Sequence, residues 1–269
     1  MNNADTVRSV AQPAREPFFW ARLYGRRLSW PVTWLVLQTP LSANTVSVIS
    51  IAVGAAGGLC FAFNSAAWNI AAVALLLLSW ILDCVDGEVA RARGQTSLDG
   101  EFIDACRHQV VCPAVFAGIT LGVYARHFRS PWLLALGLAS VALSTRFTGG
   151  MIDQMVLLGV RRAIRKGRTP EAEPEEVTCR KDGRLARFAR LFTPLFVDFN
   201  IMHILIPAVV LDALGVQAGC WTPLDILHIA YGIAFPVVKL GSMILAWKQG
   251  VSAKVEDVLR GRGEESPHH

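Results

Sequence analysis

Long apolar runs separated by short polar stretches dominate the chain. They fall at about Asn44–Phe63, Ala67–Arg91, Leu98–Tyr124, Pro131–Val160, Pro194–Leu214 and Pro223–Trp247. Each is long enough to cross a hydrocarbon core, which takes roughly 20 residues at 1.5 Å per residue. The pattern predicts six transmembrane helices, the fourth broken or extended beyond the bilayer. Ahead of them, residues 17–36 set Phe18, Phe19, Trp20, Tyr24 and Trp30 among Arg22, Arg26 and Arg27. That mixture suits an amphipathic helix, either in the headgroup layer or packed under the membrane domain. The expected fold is an all-α integral membrane protein, six spans preceded by a cytoplasmic-side amphipathic helix. The expected division is residues 1–40 as disordered N-terminus and interfacial helix, 41–248 as membrane domain with a cytoplasmic loop at 161–192, and 249–269 as tail.

Composition sharpens this. The 269 residues are 53% hydrophobic and 17% charged, with mean hydropathy +0.40; a soluble domain carries about a quarter charged residues. The net charge of +5 sits beside the apolar runs, which points to membrane lipids and not to nucleic acid. Lys and Arg crowd the N-terminal stretch, the loop near residue 95, the stretch Arg161–Arg190 and the tail. The other side offers only Arg126 and Arg129. The bias puts both termini in the cytoplasm. No leader pattern opens the chain, so the first span is expected to drive insertion. The acidic, Pro-rich stretch 169–176 reads as a flexible linker. Six cysteines (Cys60, Cys84, Cys106, Cys112, Cys179, Cys220) form no CxxC pair and read as small buried hydrophobes.

The chemistry concentrates in Ile81–His108. Asp83 and Asp86 are three apart and share a helix face near the cytoplasmic end of the second span. Gly87 and Ala90 lie beside that face and leave room for a bulky ligand, and Arg91 follows one turn later. The next helix carries Gly100, Asp104 and His108 at intervals of four, again on one face. A short loop between antiparallel helices would bring three carboxylates and an imidazole together. Carboxylates at membrane depth are costly and mark function. Three anions in one place call for a cation, and hard oxygen ligands favour Mg²⁺ or Mn²⁺. Two such ions would neutralise a pyrophosphate and support in-line displacement at phosphorus. Arg91 would hold a phosphate oxygen.

The run Asp83-x2-Asp86-Gly87-x2-Ala90-Arg91-x8-Gly100-x3-Asp104-x3-His108 resembles the signature of the CDP-alcohol phosphotransferase family, D-x2-D-G-x2-A-R-x8-G-x3-D-x3-D. Ala43-Asn44-Thr45-Val46-Ser47 is similar to that family's P-N-x-x-T. The resemblance implies that Asp83, Asp86 and Asp104 bind a metal pair, and that Asn44, Ser47, Gly87, Ala90, Arg91 and Gly100 line the CDP pocket. It also implies transfer of a substituted phosphate from a CDP-linked donor to an acceptor hydroxyl, one of them a lipid, with release of CMP. At this length the chain looks most like bacterial phosphatidyl-transferring members, with an active site facing the cytoplasm at the inner membrane.

The departure is His108, where the signature has its last Asp, the proposed general base. His108 with Asp104 is the expected catalytic pair, because an imidazole titrating near pH 6.5 suits a base. His108 as a metal ligand, or as the mark of a site that binds without turnover, are the other readings. A non-catalytic CDP-lipid binder and a divalent-cation or anion carrier are the rival functions.

Remaining polar residues divide between function and structure. Arg146, Asp153, Asp198 and His203 could touch the acceptor, or Arg146 and Asp153 could pair. Lys239 and His228 could do likewise or snorkel. Asp212 and Asp225 read as solvated at the far interface. Trp30, Trp80, Trp132, Trp221 and Trp247 read as an interfacial belt. Gly54-x3-Gly58 fits a helix-packing motif that could support a homodimer.

Overall fold

The computed structural model describes residues 7–9, 11–12, 21–144 and 198–234. Residues Met1–Thr145 and Asp198–Ile233 form one compact unit. It is helical: a π turn at Ala21–Gly25 leads into α1 (Arg26–Leu37), followed by α2 (Ala43–Cys60), α3 (Ala66–Ala92), α4 (Leu98–Arg126), α5 (Pro131–Ser144) and α6 (Asp198–Ala213). A short apolar helix, α7, spans Pro223–Ala234. Among the described residues, three stretches are long and apolar enough to cross a membrane: Ala43–Phe63, Ala66–Ala92 and Phe102–Arg126. The chain is an integral membrane protein. The far part of the expected fourth span, the loop 161–192, the start of the fifth span and the rest of the sixth lie outside the described residues. So do Arg146, Asp153, Lys239 and Trp247.

The spans turn small residues inward. α2 buries Ser47, Ser50, Gly54, Gly57 and Gly58, while Val48, Ile49, Leu59, Phe63 and Trp68 are exposed. Close packing of small residues with large apolar ones outward is how helices associate where the solvent is lipid. α2 lies along both α3 and α4. A Cβ on Gly58 would meet the Val115 backbone nitrogen at 2.6 Å, and one on Gly54 would meet Ser79 Oγ at 2.6 Å. Gly54-x3-Gly58 is therefore spent inside the chain, between α2 and its two neighbours, and that face is closed to a second copy.

α1 docks on α3 through Glu88, which is fully buried. Its carboxylate accepts from Ser29 Oγ at 2.8 Å, Thr33 Oγ1 at 2.6 Å and Arg26 Nη1 at 3.2 Å. A buried carboxylate is tolerated only when paired and hydrogen-bonded this way. α1 buries Ser29 and Thr33 and exposes Leu28, Trp34 and Leu35.

The far end of the bundle corrects two expectations. Asp225 is fully buried, not solvated. It lies 3.3 Å from Arg126 Nη1 and 3.0 Å from His127 Nε2, and accepts from the Thr222 backbone N–H at 2.8 Å. Asp212 accepts from Asn69 Nδ2 at 3.0 Å and lies 3.9 Å from Arg126. Arg126 also donates to Asn64 Oδ1 at 2.7 Å and to the Thr222 hydroxyl. These residues tie the α2–α3 turn, the end of α4, the end of α6 and the start of α7 together. Trp80 is likewise buried and not in an interfacial belt. It packs against Tyr24 and His203, ring centroids 5.2 and 5.6 Å away.

Candidate active site

Three helix ends converge at the other pole. Local signals fix each end. Ser42 caps α2, accepting from the Thr45 N–H at 3.1 Å. α3 stops at Gly94, whose φ of +64 needs a residue without Cβ. Gln95 N–H reaches back to Ala90 O at 2.8 Å and Gly94 N–H to Arg91 O at 3.1 Å, the paired bonds of a Schellman stop. Ser97 then caps α4, accepting from the Gly100 N–H at 3.1 Å. This tight α3–α4 turn brings Asp86 of α3 within electrostatic reach of Asp104 on α4. Arg93 braces it, donating to Thr39 O at 2.7 Å and to Leu41 O at 2.5 Å.

Asp86 is the hub. It accepts from Ser47 Oγ at 2.5 Å and feels the charges of both Asp83 and Asp104. Asp83 Oδ1 lies 3.3 Å from Arg107 Nε. Asp104 and Asn44 are exposed. A Cβ on Gly100 would stand 3.6 Å from Asn44 Oδ1, so α2 and α4 meet at that pair. A Cβ on Gly87 would stand 3.2 Å from Arg91 Nη1; the guanidinium folds back over the space this glycine leaves. Arg91 Nε also donates to the carbonyl of Ala11 at 2.6 Å, so the N-terminal stretch reaches the residue expected to hold phosphate. Ala90 is half-buried one turn from Asp86 and packs against the small apolar cluster of Val36, Val46, Val85 and Val89. His108 occupies α4 one turn past Asp104; its side chain lies outside the described residues.

The donor set therefore consists of carboxylates from two helices with a serine hydroxyl and an asparagine amide from a third. All are hard oxygen donors, the chemistry that Mg²⁺ and Mn²⁺ select. No group of three His, Cys, Asp or Glu side chains stands at ligating geometry among the described residues.

His203, on α6, shares a 2.5 Å hydrogen bond with the Tyr24 hydroxyl. Burial pushes the Tyr24 phenol above its ordinary pKa, and nearby Cys84 adds to the shift. Asp198 opens α6, with its side chain outside the described residues.

Two residues of the site region escape a motif reading. Glu88 follows Gly87 directly, yet two positions from Asp86 it is turned about 200° around the helix and serves α1. Arg107 adjoins His108. The signal was available for both: a charge inside an apolar run has a partner.

Residues 41–158 match the family described as CDP-alcohol phosphatidyltransferase. A phosphatidylinositol phosphate synthase of Streptomyces avermitilis is 31% identical over 103 residues, 38% of this chain and 41% of that protein. A bifunctional IPC transferase and DIPP synthase of Rubrobacter xylanophilus is 32% identical over 148 residues, 48% of this chain and 30% of that protein. The matched stretch thus spans less than half of either relative.

Proposed function

From the match of residues 41–158 to the CDP-alcohol phosphatidyltransferase family, we propose a membrane enzyme of phospholipid synthesis. It moves a substituted phosphate from a CDP-alcohol to an acceptor hydroxyl and releases CMP. The single observation that carries this reading is the position of Asp86, held by Ser47 and within electrostatic reach of Asp83 and Asp104. Clustered carboxylates serve a reaction that passes negative charge between phosphates.

CDP-diacylglycerol or a related CDP-linked lipid is the donor we favour. The likeness to a phosphatidylinositol phosphate synthase puts an inositol phosphate among the acceptors to test. Asp83, Asp86 and Asp104 would hold Mg²⁺ or Mn²⁺, in a two-ion arrangement beside His108. When bound, the metal supplies charge neutralisation at the pyrophosphate. Asn44, Gly87, Ala90 and Gly100 would line the nucleotide pocket, and Arg91 would exchange the Ala11 carbonyl for a phosphate oxygen. We assign His108 the base role: it takes the acceptor hydroxyl proton, the oxygen bonds to the phosphorus carrying the alcohol, and the anhydride bond to CMP breaks. Arg146, Asp153, Asp198 and His203 would border the acceptor.

The full architecture that fits this reading has six spans. The exposed leucines of α1 would lie in the cytoplasmic headgroup layer of a bacterial inner membrane, with the site and both termini cytoplasmic. A homodimer would have to use a surface other than the Gly54 face.

The test is purified protein with CDP-diacylglycerol and a panel of alcohols including inositol phosphate, read by mass spectrometry. A phosphodiester that joins the donor's alcohol to the added acceptor, with matching CMP, supports the reading. No product from any pair, with CDP-lipid still bound, would favour the second reading, a non-catalytic binder, for which His108 in place of Asp speaks. The far-end charges around Arg126 speak for a carrier, and divalent-ion flux in proteoliposomes would reveal one.

A further inference from the structure

We propose that Arg107 is the resident counter-ion of the acidic cluster, and that divalent metal at Asp83 binds in competition with it. The inference rests on the metal-dependent reading above and adds a residue to it.

Arg107 is 7% exposed. Its Nε lies 3.3 Å from Asp83 Oδ1 and 3.3 Å from Ser50 Oγ, so its side chain leaves α4 and ends between α2 and α3. Ser50 is itself fixed. Its hydroxyl donates to Ser79 O at 2.9 Å and Ser79 Oγ donates to Ser50 O at 2.8 Å. The guanidinium thus has a built seat beside Asp83. It cannot lose its charge near neutral pH.

Such a cation has two effects. It offsets the mutual repulsion of Asp83, Asp86 and Asp104 when no metal is present, so the folded protein does not need metal to tolerate them. It also covers an oxygen of Asp83 that a metal would use. A divalent ion that takes that oxygen must move the guanidinium, and one held by Oδ2 alone still faces a positive neighbour. Arg107 therefore acts through Asp83 as a positioning residue that weakens metal binding and stabilises the metal-free state.

The experiment is Mn²⁺ binding to the full-length protein in detergent, followed by electron paramagnetic resonance of free Mn²⁺, with and without CDP. Arg107→Gln is expected to bind Mn²⁺ at least roughly tenfold tighter than the wild type, because like charges a few ångströms apart repel on this scale even at the dielectric of water. Arg107→Lys keeps the charge without the fixed fork and is expected to fall between. In an Asp83→Asn background, Arg107→Gln is expected to change nothing. Thermal unfolding adds a second readout: Mn²⁺ should raise the midpoint more in Arg107→Gln than in the wild type. Stoichiometric binding with equal or weaker affinity in both Arg107 variants would overturn the proposal while leaving the metal reading intact. No Mn²⁺ binding by any protein, with or without CDP, would overturn the metal reading and the proposal with it.

Discussion

Ser47 on α2 donates to Asp86 Oδ2 on α3 at 2.5 Å across 39 positions of sequence. The two halves of the candidate site, the helix start that carries Asn44 and the acidic stretch of α3, share one carboxylate through this bond. A hydrogen bond to a charged group contributes about 1.5–3 kcal/mol. Ser47→Ala is therefore expected to lower turnover on the order of tenfold, and Ser47→Thr to restore most of it. The ratio of kcat in the three proteins checks this; unchanged kcat in Ser47→Ala would remove Ser47 from the site.

Glu88 governs the seating of α1. Removing its carboxylate strands the buried Ser29 and Thr33 hydroxyls and leaves Arg26 without its partner. Glu88→Ala is expected to destabilise by about 3 kcal/mol, and Glu88→Gln by less. The midpoint of thermal unfolding in detergent reports the order wild type, Gln, Ala.

Gly58 sets the approach of α2 to α4. A Cβ there would stand 2.6 Å from backbone, not from a side chain that can swing away. Gly58→Ala should cost about 1–3 kcal/mol, as overpacking does, and Gly58→Leu more. Sedimentation of the folded Gly58→Ala protein is expected to match the wild type, because this glycine packs within one chain. A change in oligomeric state would contradict that.

Asp225 tests the far end independently. Asp104 and Arg126 are 22 positions apart on one helix, about 33 Å at the α-helical rise. Asp225→Asn keeps the shape but takes the charge from a fully buried group facing Arg126 and His127. It is expected to lower the unfolding midpoint while leaving Mn²⁺ affinity within about twofold, since sites this far apart act additively.

The membrane class and the acidic motif were legible in the sequence because apolar runs and fixed spacing are local properties. The expected runs Ala67–Arg91 and Leu98–Tyr124 end within two residues of α3 and α4, whose facing ends Gly94 and Ser97 fix within one turn. What stayed hidden depends on which helices are neighbours. Asp212 and Asp225 looked like ordinary interfacial carboxylates until Arg126 and Asn69 were brought beside them by the packing of α6 and α7. Glu88 and Arg107 sat inside the motif stretch, yet their partners Thr33 and Asp83 lie on other helices. Gly54-x3-Gly58 declared a close helix contact but could not say whose helix, and the answer is α3 and α4 of the same chain.

The most direct test of the central claim is the rate of CMP release from CDP-diacylglycerol, with acceptor, by wild type and Asp86→Asn, each with chelator and again after Mg²⁺ or Mn²⁺ is restored. The predicted result is release by the wild type that stops with chelator and returns with metal, and a loss of at least about a hundredfold in Asp86→Asn, the scale of removing a group that stabilises transition-state charge. Release by Asp86→Asn at the wild-type rate, or release indifferent to chelator, would contradict it.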